Sequence, residues 1–284
     1  MHRLPRFLAV SAIALLPALA MLAGTGSAAN ASPAGSSSAA RAAAIAKAAI
    51  KDLSIGQHAT DQRTGVTSQV AGLTQVESTN WSGYADTGSS FSKVTATWTE
   101  PSAASCGFTI SLAAFWVGID GYSSDSVEQD GTLIECYFGT VYQYTWWEMY
   151  PTNDIQTVGD TLAGGDSISA SVVRSGDSYT LAVTDSTHTA DSFSTTQTCS
   201  DCANSSAEWI AEAPSGEAGV YPLTDFSSWT AANATVTEGS TAGVISSFTD
   251  DEITMVDSSG NVKAQPGSLN SSGNGFSVTW KRSS

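Results

Sequence analysis

Carboxylates that alternate with aromatic side chains are the groups in this sequence best suited to chemistry. They occur in two segments, WWEMY at 146–150 and AEWIAE at 207–212. If both segments are strands, Glu148 shares a face with Trp146 and Tyr150, and Glu212 shares a face with Glu208. A carboxylate set among aromatic side chains on a sheet is typical of a cleft lining, and it can serve as a general acid or base.

Histidine chemistry has little support in this chain. The sequence holds three histidines, His2, His58 and His188. Only His188 falls after residue 78, in a threonine-rich run that predicts a surface strand. A Ser-His-Asp site or a zinc site therefore lacks the side chains that it needs, and no glycine-rich phosphate loop indicates a nucleotide. We expect neither a metal nor a cofactor.

An aspartic peptidase site is a further alternative. The segment DTGS at 86–89 matches the loop of pepsin-like enzymes. That mechanism needs two such aspartates that share a proton, and the sequence has no second Asp-(Ser/Thr)-Gly. The segment is therefore interpreted as a β-turn.

The sequence pattern around these groups predicts that strands position them, in an all-β domain after residue 78. Short alternating runs recur between turns rich in Gly, Asn, Asp and Ser. The predicted strands cover residues 91–99, 110–117, 140–149, 167–174, 178–184, 187–193, 207–211, 241–249, 252–256 and 276–281. So many short strands favour a sandwich of two sheets.

Composition divides the chain into three parts. Residues 1–31 combine a basic start, an apolar stretch and small residues, which predicts a cleaved signal peptide and a secreted protein; a membrane anchor is the alternative. Residues 32–77 include an alanine-rich helix predicted over 39–55, and we interpret them as a removable pro-segment rather than a linker. Residues 78–284 form the predicted domain.

The charge of the chain is strongly negative. The formal net charge is −16, and residues 78–284 hold 5 basic and 24 acidic groups. This balance excludes nucleic acid and anionic membrane surfaces as partners. Acid neutralises the carboxylates and leaves few cations to repel one another, so we expect an acid-tolerant protein. The mildly basic pro-segment could cover an acidic cleft as an inhibitor and leave it when the carboxylates protonate.

Four cysteines lie in the predicted domain: Cys106, Cys136, Cys199 and Cys202. They allow three pairings, and an exported protein favours disulfides over a metal site. We expect Cys106 to pair with Cys136 and Cys199 with Cys202, because the second two cysteines span only four residues in a polar loop.

Five motifs, in their order and spacing, resemble those of the glutamic peptidases (eqolisins), which are secreted acid endopeptidases. The motifs are NWSGY at 80–84, FWVGIDG at 115–121, EQDG at 128–131, WWEMYP at 146–151 and AEWIAE at 207–212. The resemblance covers most of residues 80–284. The Gly/Ser-rich insertion of the fungal members is lacking, so the chain resembles a bacterial-type member.

The resemblance implies a fold, a substrate class and a site. The fold is a sandwich of two antiparallel sheets of the concanavalin A-like kind found in lectins and glucanases. The substrates are proteins or peptides, and pepstatin should not inhibit. The family's catalytic glutamine stands in a turn and its catalytic glutamate at the end of a strand, positions that fall on Gln129 and Glu212. The implied lining residues are Trp81, Trp116 and Asp120, beside Trp146, Glu148 and Tyr150.

Departures from the family pattern surround these positions. Glu128 and Asp130 replace the usual neighbours of the glutamine, and Met149 replaces an aromatic residue. These changes bear on the preferred substrates more than on the chemistry.

The implied mechanism can be stated physically. Glu212 takes a proton from water and later returns it to the leaving nitrogen, while the neutral Gln129 amide positions the water and stabilises the oxyanion. Two rival functions remain open. One is a glycoside hydrolase in which Glu148 and Glu212 flank a sugar; the other is a non-catalytic carbohydrate-binding module.

Overall fold

The computed structural model describes residues 44–47, 50, 53, 55, 63–70 and 73–284. The predicted signal peptide, His2 and His58 lie outside these residues. Within the predicted pro-segment, residues 44–47 and Ile50 are helical, as the alanine-rich composition predicts. None of the described helices is long and apolar enough to cross a bilayer.

The described part of the chain contains nineteen strands and two short 3₁₀ turns, besides the helical residues 44–47 and 50. The first ten strands are β1 Arg63–Val70, β2 Leu73–Ser78, β3 Trp81–Thr87, β4 Phe91–Thr99, β5 Ser111–Asp120, β6 Val127–Tyr137, β7 Thr140–Tyr150, β8 Asn153–Val158, β9 Ser167–Ser175 and β10 Ser178–Asp185. The others are β11 Phe193–Thr198, β12 Ser206–Glu212, β13 Ser215–Gly216, β14 Gly219–Val220, β15 Ser228–Glu238, β16 Thr241–Gly243, β17 Thr249–Val256, β18 Val262–Pro266 and β19 Phe276–Trp280. The 3₁₀ turns are Thr189–Asp191 and Ile245–Ser247.

The strands form two layers. The first sheet runs in the order β8-β7-β6-β5-β12-β3-β17-β2-β1. The second runs β11-β10-β9-β4-β15-β16. The β2–β17 ladder is parallel, and the others are antiparallel. The all-β sandwich predicted from the sequence is therefore confirmed.

β15 belongs to both layers. Residues 228–231 pair with β19, which continues through β18 to β17 at the side of the first sheet. From Ala232 onward β15 pairs with β4 in the second sheet, with a register shift between Ala232 and Thr235. One strand thus carries the chain from one layer to the other, as strands at the corners of a sandwich do.

Central strands of the first sheet send alternate side chains to two apolar clusters. On β5, Phe115 and Val117 enter the core between the sheets, whereas Ala114 and Trp116 belong to a second cluster on the opposite side. We call that opposite side the outer face. Burial on both sides explains why β5 is a continuous apolar run rather than an alternating one.

Many predicted strands are confirmed. The prediction at 91–99 coincides with β4, whose residues Val94, Ala96 and Trp98 are buried as the alternation requires. The predicted run at 241–249 is broken, because the 3₁₀ turn Ile245–Ser247 interrupts it. Strands were also missed in the predicted pro-segment, where β1 and β2 form a hairpin.

The strand predicted at 187–193 is wrong. The 3₁₀ turn Thr189–Asp191 occupies its centre. The cause is local: Asp185 Oδ1 accepts the backbone N–H groups of Thr187 at 2.7 Å and His188 at 2.9 Å. A side chain that binds its own downstream backbone competes with the ladder and ends β10.

The turn predicted at 86–89 begins later than expected. Asp86 lies inside β3 and is fully buried, opposite Asp250 of β17. Neither carboxylate oxygen of Asp86 has a hydrogen-bond partner. Burial, followed by the negative charges of Asp250 and Glu238, raises the pKa of Asp86 to about 9. Asp86 is therefore a neutral acid in the fold at any acidic pH.

Candidate active site

Gln129 on β6 and Glu212 on β12 lie on the outer face of the first sheet. β5 lies between β6 and β12 and pairs with both, so its residues give the relative register of the two strands. Gln129 is opposite Gly118, and Glu212 is opposite Ala114. Directly opposite residues in an antiparallel sheet point to the same side. The two predicted catalytic side chains therefore share a face, offset along the strands by two same-face positions.

The prediction that Gln129 stands in a turn is wrong. Gln129 is the third residue of β6, and residues 127–136 of that strand are all buried. The family resemblance implies the turn, and the polar segment EQDG is compatible with one because buried strands rarely carry carboxyl groups. Here Glu128 and Asp130 are buried, and burial raises both pKa values well above the ordinary range.

Trp116 fills the space between the two predicted catalytic residues. Its indole Nε1 donates a hydrogen bond to Glu212 Oε2 at 3.0 Å. The other end of the ring covers Gly118, where a Cβ atom would lie 2.8 Å from Trp116 Cζ3 and 3.3 Å from Gln129 Cβ. Trp81 supports the ring edge-on, with ring centroids 4.9 Å apart. The absence of a side chain at Gly118 thus lets the indole reach from one residue to the other.

Asn80 holds the second oxygen of the same carboxylate. Asn80 Nδ2 donates to Glu212 Oε1 at 3.2 Å. Its own Oδ1 accepts from Ser78 Oγ at 3.0 Å, and Ser78 Oγ also accepts the backbone N–H of Trp81 at 3.1 Å. Asn80 and Ser78 are buried. Sequence analysis assigned no role to Asn80; its place at the start of the NWSGY motif was the available signal.

Glu148 lies next to Gln129. It is opposite Gln129 in the β6–β7 ladder, and Gln129 Nε2 donates to Glu148 Oε2 at 2.7 Å. Burial raises the pKa of Glu148 well above its usual range; the Gln129 hydrogen bond acts against this shift, and the charge of Glu212 adds to it. Glu148 is thus favoured in its neutral form, and its carboxyl oxygen fixes the direction of the Gln129 amide.

A peptide carbonyl from the predicted pro-segment also meets this amide. Gln129 Nε2 donates to the backbone carbonyl oxygen of Ile55. Ile50, Leu53 and Ile55 are buried in the outer-face cluster, which also contains Trp81, Trp116, Tyr122, Trp146, Ile155 and Ile210. The amide therefore binds a main-chain carbonyl that is already held against an aromatic wall.

Residues 79–280 match the Peptidase A4 family. The chain belongs to this family of glutamic peptidases. The resemblance drawn from five motifs is thereby confirmed. This glutamic peptidase is 29% identical over 189 residues to aspergillopepsin-2 of Aspergillus niger, covering 58% of the chain and 67% of that protein.

Solved structures agree with the fold of this peptidase. Scytalido-glutamic peptidase, solved with a transition-state analogue inhibitor, superposes with a TM-score of 0.61 at 23% identity, covering 72% of this chain and 98% of the other. Aspergilloglutamic peptidase from Aspergillus niger gives a TM-score of 0.52 at 29% identity, covering 60% of this chain and 99% of the other.

Of the remaining predicted lining residues, the peptidase brings Trp146 to the outer face and Tyr150 to its border. Trp146 is fully buried in the outer-face cluster. Tyr150 ends β7, two residues beyond Glu148 on the same face, and is partly exposed. A partly exposed aromatic at the border of the cluster suits the rim of a cleft.

Asp120, at the end of β5, binds the backbone of a neighbouring loop. Its carboxylate accepts the backbone N–H groups of Asn204 at 2.6 Å and Ser205 at 2.8 Å, and its backbone φ is 70°. These contacts anchor the loop before β12. Asp120 thus contributes to the peptidase by holding that loop beside the end of β5, and its substrate contact remains a prediction.

Both predicted disulfides are present, Cys106–Cys136 and Cys199–Cys202. The first joins the loop before β5 to the far end of β6. The second closes the loop after β11, and Cys202 Sγ lies 2.8 Å from Glu128 Oε1, beside Gln129 in the chain. The bridges therefore restrain loops at both ends of the strand that carries the glutamine.

Proposed function

We propose that this peptidase is a secreted enzyme that hydrolyses peptide bonds in acid through Gln129 and Glu212. Peptide hydrolysis needs a base for the water, a donor for the oxyanion and an acid for the leaving nitrogen. One glutamine amide and one carboxylate on rigid strands can supply all three functions.

The contact between Gln129 and a peptide carbonyl carries this proposal. An oxyanion develops on a carbonyl oxygen, so a donor that binds such an oxygen is placed for the transition state. Gln129 Nε2 donates to the main-chain carbonyl of Ile55, and Glu148 holds the same amide from the other side. Because an amide has no charge to lose, this donor works throughout the acidic range.

Glu212 is the proposed base. Hydrogen bonds from Trp116 and Asn80 hold its two oxygens in place. Glu212 takes one proton from water as the oxygen adds to the carbonyl carbon. It then returns that proton to the nitrogen as the C–N bond breaks, giving a carboxylic acid and an amine. Burial raises the pKa of Glu148 well above its usual range, so Glu148 is not the proposed base.

The pro-segment is the proposed inhibitor of this site. Ile50, Leu53 and Ile55 cover the outer face, and Gln129 and Glu212 are fully buried beneath the chain in this form. A substrate cannot reach the dyad until the segment leaves. Secretion is proposed from residues 1–31, whose composition predicts a signal peptide.

The full chain can be tested directly after acidification. We expect it to release peptides from denatured casein between about pH 2 and about pH 7, with a maximum in acid, and to be unaffected by pepstatin. Gln129→Ala and Glu212→Ala should each abolish turnover. Gln156→Ala and Glu217→Ala, which change exposed residues of the same types, should retain it.

The assay also separates the rival functions. Sugar release from β-glucan would identify a glycoside hydrolase, and binding without turnover would identify a carbohydrate-binding module. Full activity in either dyad variant would remove that residue from the mechanism.

A further inference from the structure

The carbonyl that Gln129 binds belongs to one identifiable peptide bond. Ile55 supplies the oxygen, and Gly56 follows it in the sequence. The oxygen is therefore that of the Ile55–Gly56 bond, and the carbon beside it is the atom that a water molecule would attack. Gly56 contributes an amide nitrogen and no side chain to this bond.

Apolar side chains fix this bond in its place. Ile50, Leu53 and Ile55 are at most 6% exposed and pack in the outer-face cluster. The chain just before the bond is thus held in one register against the outer face, with the Ile55 carbonyl directed at the amide.

The hairpin that follows is part of the peptidase sheet. β1 pairs with β2, and β2 pairs in parallel with β17 from Asp250 to Met255. At the end of β2, Ser78 Oγ binds Asn80, whose amide holds Glu212. A cut near residue 78 would remove a strand and a support of the proposed base, whereas a cut before β1 would leave both in place.

We propose that the Ile55–Gly56 bond is the first bond that this peptidase hydrolyses in its own chain, so that the mature enzyme begins at Gly56 and keeps the β1–β2 hairpin. This inference rests on the proposed function. Water adds to the Ile55 carbonyl carbon, Gln129 stabilises the oxyanion, and Glu212 transfers the water proton to the Gly56 nitrogen. The products are a free carboxyl group on Ile55 and a free amine on Gly56.

Acidification of the full chain tests this assignment. Intact mass and N-terminal sequencing, followed over time, should show a first product that begins at position 56, formed with a rate constant independent of protein concentration. Gly56→Pro removes the N–H and restrains the preceding backbone, so that product should form at least about tenfold more slowly. Gly56→Ala, the matched control, keeps the N–H and should form it.

The outcomes distinguish this inference from the proposed function. If the wild-type chain digests casein but its first new N-terminus lies elsewhere, for example beyond the hairpin, the Ile55–Gly56 assignment is wrong and the activity stands. Equal rates for the proline and alanine variants would also overturn the assignment. If the chain cuts neither casein nor itself, both the Ile55–Gly56 assignment and the proposed function are wrong.

Discussion

Replacement of Asp86 by asparagine should remove a defined part of the pH dependence of stability. The folded pKa of Asp86 is raised to about 9 by burial and by neighbouring negative charges, while an unfolded aspartate titrates near 3.9. A raised folded pKa stabilises the protein fully below the unfolded pKa, and this stability is lost as the pH rises toward the folded value. The loss accumulates across the weakly acidic range.

The magnitude between pH 4 and pH 6 follows from linkage. Below about pH 7 the folded group stays protonated, so only the unfolded titration counts, and each pH unit above 3.9 costs about 1.4 kcal/mol. The free energy of unfolding should therefore fall by about 2 kcal/mol from this residue alone over the two units. Asp86→Asn has nearly the same shape and cannot ionise, so it should lack this part of the decrease.

Urea unfolding followed by tryptophan fluorescence would measure the difference. A Glu212→Gln background prevents self-digestion at low pH. Asp125→Asn, which changes an exposed aspartate, is the matched control and should keep the parent slope. If Asp86→Asn and the parent lose equal stability between pH 4 and pH 6, then Asp86 is ionised in the fold and the burial argument is refuted.

Three further substitutions examine the site. Trp116→Phe removes the hydrogen bond to Glu212 and should lower kcat/KM about 10- to 100-fold, as loss of about 1.5–3 kcal/mol requires; an unchanged value would exclude that contact from the mechanism. Glu148→Gln keeps an acceptor for Gln129 and should retain activity within about threefold, whereas Glu148→Ala should lose about tenfold, and equal activity in both would refute the positioning role. Gly118→Ala places a methyl group 2.8 Å from the indole, which must shift; kcat/KM should fall at least about tenfold, and the free energy of unfolding by about 1–3 kcal/mol, as checked by thermal unfolding.

Sequence patterns predicted the fold where burial is one-sided or continuous. β4 alternates because one of its faces meets the core, and its bounds were predicted to the residue. β5 was recognised as a long apolar strand because both of its faces are covered. In both strands, the side chains obey the usual separation of apolar and polar groups.

β6 was missed because it breaks that separation. Glu128 and Asp130 enter the fold as carboxyl groups with raised pKa values, and a pattern analysis assumes that such residues meet water. The same assumption hid β2 and the burial of Asp86. The family motifs singled out Gln129 as a candidate despite this. The motifs do not indicate the hydrogen bonds from Asn80 and Trp116 to Glu212, which are seen only in the structure.

The passage of β15 between the layers limits where the polypeptide can be opened. Circular permutants with new ends at the exposed tip between β9 and β10 should fold, because Gly176 and Asp177 there lie outside both strands. New ends inside β15 would divide a strand that pairs with β19 beside the first sheet and with β4 in the second. Such permutants should fold less stably, since those two ladders would no longer share one continuous backbone.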